Sequence, residues 1–285
     1  MRFESPKTTR EAVALLAKEK GSAYVLAGGT DLLVRMKTGL IEPDLVVDIK
    51  RISAMQSIKT TASGTRIGAA VSGAELGENK KLKKAWPGVV EATNLIGSDQ
   101  IQGRCTMVGN LCNASPAADS VPALMAARAK AVVVGKNKRR TVAVEKIITG
   151  PGETSLAKGE IIEAIILPRR STKSGDAFLR FIPRTEMDIA VVSAGISLTL
   201  ARGVIKSARV ALGAVAATPL LVPAAARAII GTKLDDVALE KLAAACSAAC
   251  KPIDDKRGTI EYRTKVVGVL ACRAAKIAYQ RAGDA

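Results

Sequence analysis

Leu26–Leu33 reads LAGGTDLL; it follows the apolar β-type run Ala23–Ala27 (AYVLA) and leads into Asp31–Lys37 (DLLVRMK), where helical spacing takes over. In that strand–turn–helix order, Gly28 and Gly29 let the backbone approach a ligand and take a positive φ that a Cβ would resist. Thr30 is placed to cap the following helix, whose free N–H groups and positive dipole end suit a phosphate. A second stretch, Thr106–Asp119 (TMVGNLCNASPAAD), offers another turn at Gly109–Asn110, where successive N–H groups form an anion nest. Two such loops about eighty residues apart can grip one diphosphate from both sides. Taken alone each is weak, since a strand–GG–helix turn is mostly just a turn.

Outward from the first loop, residues 10–19 carry helical spacing with Ala12, Leu15 and Leu16 on one side. The runs 23–27 and 45–49 flank the helix at 31–38 in a small βαβ-like unit. Glycine-punctuated strands follow from about residue 52, then helices over 76–84, 88–96 and 117–128. Ala131–Gly135 and Thr141–Val144 read as a hairpin with Lys136–Arg140 (KNKRR) at its tip, and Ile161–Leu167 as a further strand. Arg169–Gly175 (RRSTKSG) is the best linker. Beyond it, Ile189–Leu200 and Val204–Leu212 pair around Arg202–Gly203, and alanine-rich helices occupy 223–230, 235–249 and 259–281. Strands first and helices afterwards make this part α+β.

The chain has 285 residues, 48% of them hydrophobic, enough for two modest domains with a real core. No apolar run is long enough to span a membrane. The opening MRFESPKTTREAVALL lacks the apolar centre of a signal peptide, so the expected location is the cytoplasm. There is no histidine, which excludes His-based triads and His-ligated metals and leaves a bound cofactor as the easiest source of reactivity. Five scattered cysteines show no CxxC spacing, and Cys246 and Cys250, four apart on one helix, read as core thiols. The net charge of +17 fits an acidic partner or nucleic acid, and equally a solvated surface. Three phenylalanines, three tyrosines and one tryptophan are too few for base-stacking platforms, which argues against nucleic acid.

The chain resembles the FAD-binding medium subunit of the molybdenum hydroxylases, the family of xanthine dehydrogenase and aerobic carbon monoxide dehydrogenase. The matches run in order through Pro6–Leu16, AGGTDLL, Asp44–Ile49, Ile96–Asp119, Glu160–Pro168, Phe178–Val192 and Arg257–Arg263. The resemblance implies an α+β fold in two parts. Residues 1–172 would form a PCMH-type FAD-binding domain of the vanillyl-alcohol-oxidase/MurB-like kind, split near residue 54. Residues 175–285 would form a domain like the carbon monoxide dehydrogenase flavoprotein C-terminal domain, stabilised by Arg257–Arg263. It also implies FAD in this chain, with [2Fe-2S] clusters in a small ferredoxin-like subunit and a molybdopterin cofactor in a large one. Electrons would pass from the clusters through FAD to NAD, a quinone or another carrier. Competing readings are a non-catalytic nucleotide- or nucleic-acid-binding protein and a stand-alone flavoprotein reductase.

By the same resemblance, Val25, Leu26, Ala27, Gly28, Gly29, Thr30, Asp31 and Leu32 form the first FAD loop. Thr106, Met107, Val108, Gly109 and Asn110 form the second, where the family usually has T-x-G-G-N and this chain has Val108 for the first glycine. That valine would be strained if the position needs positive φ, or would crowd the ligand. Just upstream, IQGR stands for the usual I-R-N, with its arginine moved to Arg104. Asp119 matches an acidic residue at the adenosine end, or caps a helix starting near Ser120. Ile162 and Ile96 match apolar positions beside the cofactor. Arg180 replaces a lysine near the flavin, keeping the charge but not the geometry.

Overall fold

The computed structural model describes residues 1–285. Its first unit is β1 (Arg2–Glu4), α1 (Thr9–Lys18), β2 (Ala23–Leu26), α2 (Leu32–Lys37) and β3 (Leu45–Asp48). The strands form a parallel sheet in the order β1-β3-β2, with Leu45, Val46 and Val47 buried in its central strand. A reciprocal Thr8–Glu11 box caps α1, which buries Ala12, Val13 and Leu16.

The next unit runs through β4 (Ile58–Thr61), β5 (Gly64–Gly68), α3 (Gly73–Glu78), α4 (Lys80–Ala85) and α5 (Pro87–Asn94). It continues with α6 (Asp99–Gln102), α7 (Met107–Cys112), α8 (Ser120–Ala126), β6 (Lys130–Val134) and β7 (Arg139–Ala143). The short pair β8 (Ile148–Gly150) and β9 (Glu153–Thr154) leads to β10 (Ile161–Pro168). The main sheet is antiparallel in the order β4-β5-β10-β6-β7, with a bulge in β10 between Ile162 and Ala164. The helix expected over 76–84 is two helices. Asn79 ends α3 with a non-helical ψ of 95° and caps α4 by accepting from the Leu82 amide.

The last unit begins with β11 (Ser174–Phe181), inside the stretch expected as linker. It pairs with β12 (Val192–Ala201), then β13 (Val204–Gly213) and β14 (Leu220–Leu221), in an antiparallel sheet. Arg202 and Gly203, both at positive φ, make the tight β12–β13 turn. α9 (Pro223–Ile229), α10 (Asp236–Ala249) and α11 (Ile260–Gly283) follow, with α11 packed along β11 and β12. Buried Arg263 locks this unit by donating to the Val191 and Ala214 carbonyls and pairing with Asp255 at 2.6 Å. α5 and α8 pack on the opposite face of the sheet, joining the two halves through Phe178 and Ala211.

Candidate functional site

The β2–α2 loop and the α6–α7 loop meet because a glycine lets them. A Cβ on Gly28 would stand 1.8 Å from the Arg104 carbonyl oxygen, so the close approach here is between two protein backbones. Lys50 fixes the same loop by donating to the Ala27 carbonyl at 3.0 Å while paired with Asp48 at 2.7 Å. On the far side, Asn113 Nδ2, at the C-terminal end of α7, donates to Asp31 Oδ1 at 3.1 Å and ties that helix to the first loop.

Gly29 has φ +79, and this turns the chain so that the Leu33 amide bonds back to the Gly29 carbonyl. The helix therefore starts one residue later than expected. Asp31, not Thr30, stands at the cap position, and no side chain caps α2. As a result the amides of Gly28, Gly29, Thr30 and Asp31 donate to no group in the chain. Four consecutive unpartnered N–H groups at a strand–helix turn form a nest for an anion.

The second loop is built differently from the expectation. Gly109 and Asn110 lie in the first turn of α7. The Thr106 hydroxyl accepts from the Gly109 amide at 2.9 Å, and the Thr106 carbonyl accepts from the Asn110 amide at 3.0 Å. Those donors are spent internally, so the nest expected at Gly109–Asn110 is absent. Val108 is helical and not at positive φ, so the strain considered for it does not exist.

Between the loops lies a cleft enclosing about 270 Å³ of water-accessible space. All the expected loop and strand residues line it except Leu26, Met107, Asp119 and Arg180. Leu26 and Met107 are buried in β2 and α7. Ile96 and Ile162 contribute to the apolar wall. Asp119 and Arg180 instead pair with each other at 2.7 Å, and Asp119 makes no cap bond to α8. Ser120 next to it is tied to the second loop, donating from both its amide and its hydroxyl to Asn110 Oδ1. Burial pushes the Asp119 carboxyl up to about 6, against the pull of the Arg180 guanidinium. Its Oδ1 is buried with no partner.

Two charged lining residues escaped the sequence reading. Arg35 is the only lysine or arginine lining the cleft, and its guanidinium sits 6.0 Å from the centre of the Tyr24 ring. The available signal was spacing: Arg35 lies four residues after Asp31, on the same side of α2. Glu160 also lines the cleft, but Arg140 holds its carboxylate at 2.8 Å and keeps it well below the usual range.

FAD fits this arrangement on the chain's own geometry. The nest offers donors for a diphosphate, and Arg35 offers a counter-charge. Fold and cleft together fit a two-loop nucleotide-cofactor protein.

Residues 1–170 match the family described as "FAD binding domain in molybdopterin dehydrogenase", and residues 177–278 match the "CO dehydrogenase flavoprotein C-terminal domain". The chain is 35% identical over 281 residues to the carbon monoxide dehydrogenase medium chain of Afipia carboxidovorans, covering 98% of this chain and 97% of that one. It is 30% identical over 279 residues to the corresponding chain of Hydrogenophaga pseudoflava, covering 98% and 97%. Among solved structures, the reconstituted CO dehydrogenase from Oligotropha carboxidovorans superposes with a TM-score of 0.95 at 34% identity, covering 99% of this chain and 98% of that one. The chain belongs to the family of FAD-binding medium subunits of molybdenum hydroxylases, oxidoreductases that act as multi-subunit complexes.

Proposed function

We propose that this chain holds FAD between its two loops and serves as the electron-relay subunit of a heteromeric molybdenum hydroxylase in the cytoplasm. FAD would supply the one- and two-electron chemistry. The chain would bind, orient and shield it, taking electrons from the [2Fe-2S] clusters of a small partner subunit and giving them to NAD, a quinone or another carrier. A large partner would carry the molybdopterin centre. The cofactor domain would span residues 1–172, divided near residue 54, and the C-terminal domain residues 175–285.

The observation that carries this reading is the run of unpartnered amides from Gly28 to Asp31 on the wall of the two-loop cleft. Asp31 and Asn113, joined side chain to side chain, would hold the loops at a fixed separation around the diphosphate. Ile96, Val108 and Ile162 would exclude water from the ring system. Thr106 and Asn110 would brace the second loop, and the Asp119–Arg180 pair would stand behind it.

Natively expressed protein tests the proposal in one preparation. Size-exclusion chromatography should give a three-subunit species with molybdenum and iron. Acid release should yield FAD and not FMN. A flavinated chain that elutes alone and oxidises an organic substrate without those metals would overturn it.

A further inference from the structure

The face that β11, β12 and β13 turn toward the N-terminal half changes character along its length. Around Phe178 and Ala211 it is apolar and merges with the core under α5 and α8. At the other end the register places Ser174 beside Thr199, Thr199 beside Ser207, and Ser197 beside Arg209. There the two halves part around a cavity of about 170 Å³, none of whose lining residues belongs to the FAD cleft.

Four arginines and no carboxylate line this cavity. Two of the arginines are already neutralised. Arg170 pairs with Asp176 at 2.5 Å, and Arg209 with Glu145 at 2.9 Å. The other two, Arg128 and Arg169, are exposed and enter no ion pair, leaving two positive charges over a floor of hydroxyls. The Ser197 and Ser207 hydroxyls, unlike the hydrogen-bonded trio Ser171, Ser174 and Thr199, have no partner within the chain.

Arg128 also holds an unusual backbone position. It follows α8 with φ +57, its amide bonding to Met125 and that of Ala129 to Leu124 in a Schellman closure. Glycine takes that conformation at least cost. From that position Arg128 lines the cavity.

We propose that this cavity binds a small phosphate-class oxyanion, bridging Arg128 and Arg169 of one half to the serine hydroxyls of the other. Two charges outside any ion pair match a dianion, guanidinium forks suit its oxygens, and a cavity of about 170 Å³ has room for a phosphoryl group.

The chain carries its own reporter. Trp86 is its single tryptophan, lines the cavity, and lies 4.7 Å from the Arg170 guanidinium. The flavin-loaded full chain should be titrated with sodium phosphate, and separately with glycerol 3-phosphate, against sodium chloride at matched ionic strength. Tryptophan fluorescence should change saturably with phosphate, or with the ester alone if the natural ligand is esterified, and not with chloride. Replacing both free arginines (Arg128→Gly with Arg169→Ala) should weaken the response about tenfold or more while flavin content stays unchanged. Ser207→Val, on a strand that accepts a β-branched residue, should weaken it independently. A response to neither anion, or one undiminished in both variants, would overturn the assignment.

Discussion

Asp119 and Arg180 stand sixty-one residues apart in sequence and meet as a buried ion pair at 2.7 Å. Asp119 precedes α8 and Arg180 lies in β11, so the pair pins the start of α8 to the C-terminal sheet. Arg180 is engaged through one carboxylate oxygen only. The other, Oδ1, is left buried and unsatisfied, which is costly in the absence of a donor.

That environment gives the apoprotein a distinct pH signature. The Asp119 carboxyl titrates at about 6 in the fold, against 3.8 unfolded, chiefly through desolvation. The folded state therefore binds this proton more tightly. The stability it contributes is fully present below pH 3.8 and is lost as pH rises through about 6. Urea denaturation of wild type and Asp119→Asn from pH 4 to 8 should show a more positive slope in the variant, with a cumulative difference of about 3 kcal/mol at most. Parallel curves would show that the carboxyl is not perturbed.

Gly28→Ala separates loop docking from ligand contact. The added Cβ meets the Arg104 carbonyl at 1.8 Å, a backbone atom that cannot swing aside. The apoprotein should lose about 1–3 kcal/mol, as overpacked sites do, and bind FAD more weakly because the loops no longer meet. Gly103→Ala, at the C-cap of α6 with φ −67 and nothing within 4 Å of the new Cβ, is the control and should change neither. Unaltered stability in Gly28→Ala would mean the two loops are not in contact in solution.

The parts of the fold legible in sequence are those where a short apolar run is bounded by turn residues. Ala23–Leu26, Leu45–Asp48 and the β12–β13 hairpin read as strands because apolar runs end at turn residues. α6 and α7 have four and six residues, under two turns, and cannot display a 3.6-residue period. β11 opens on buried Ser174 and Asp176, whose partners Thr199 and Arg170 are invisible to local pattern. The first loop could be located from its glycines, but which loop carries the free amides depends on who accepts from whom. Thr106 takes the donors of the second loop, and nothing near Thr30 takes those of the first. Pairings across the chain, Asp119 with Arg180 above all, leave no trace in spacing.

Val108→Gly tests the departure from the family's usual second loop. Since Val108 is helical and almost fully buried, glycine relieves no backbone strain there. It removes packed methyls and puts the most flexible residue into the first turn of α7. Apoprotein stability should fall by about 2–4 kcal/mol. The dissociation constant for FAD should stay within about threefold of wild type. Markedly tighter FAD binding in this variant would show that the valine side chain crowds the cofactor.

The most direct test of the cleft uses Arg35, its only lysine or arginine. The other charged groups lining it are Asp31 and Glu160, and Arg140 already neutralises Glu160. A diphosphate entering the nest at Gly28–Asp31 would therefore find one free counter-charge, held near the cleft by the Tyr24 ring. Arg35 is exposed, so Arg35→Ala should leave the unfolding free energy within about 0.5 kcal/mol. Loss of a charge-assisted contact should raise the FAD dissociation constant about tenfold. Arg35→Glu should raise it further by setting a carboxylate against the diphosphate, while Arg35→Lys should recover part of the affinity. Salt should weaken FAD binding in wild type more steeply than in Arg35→Ala, because screening acts on a charge the variant lacks. Fluorescence titration of deflavinated protein at several sodium chloride concentrations measures all of these. Equal dissociation constants and equal salt slopes in wild type and Arg35→Ala would place the diphosphate away from α2, and the nest at Gly28–Asp31 would then not be its site.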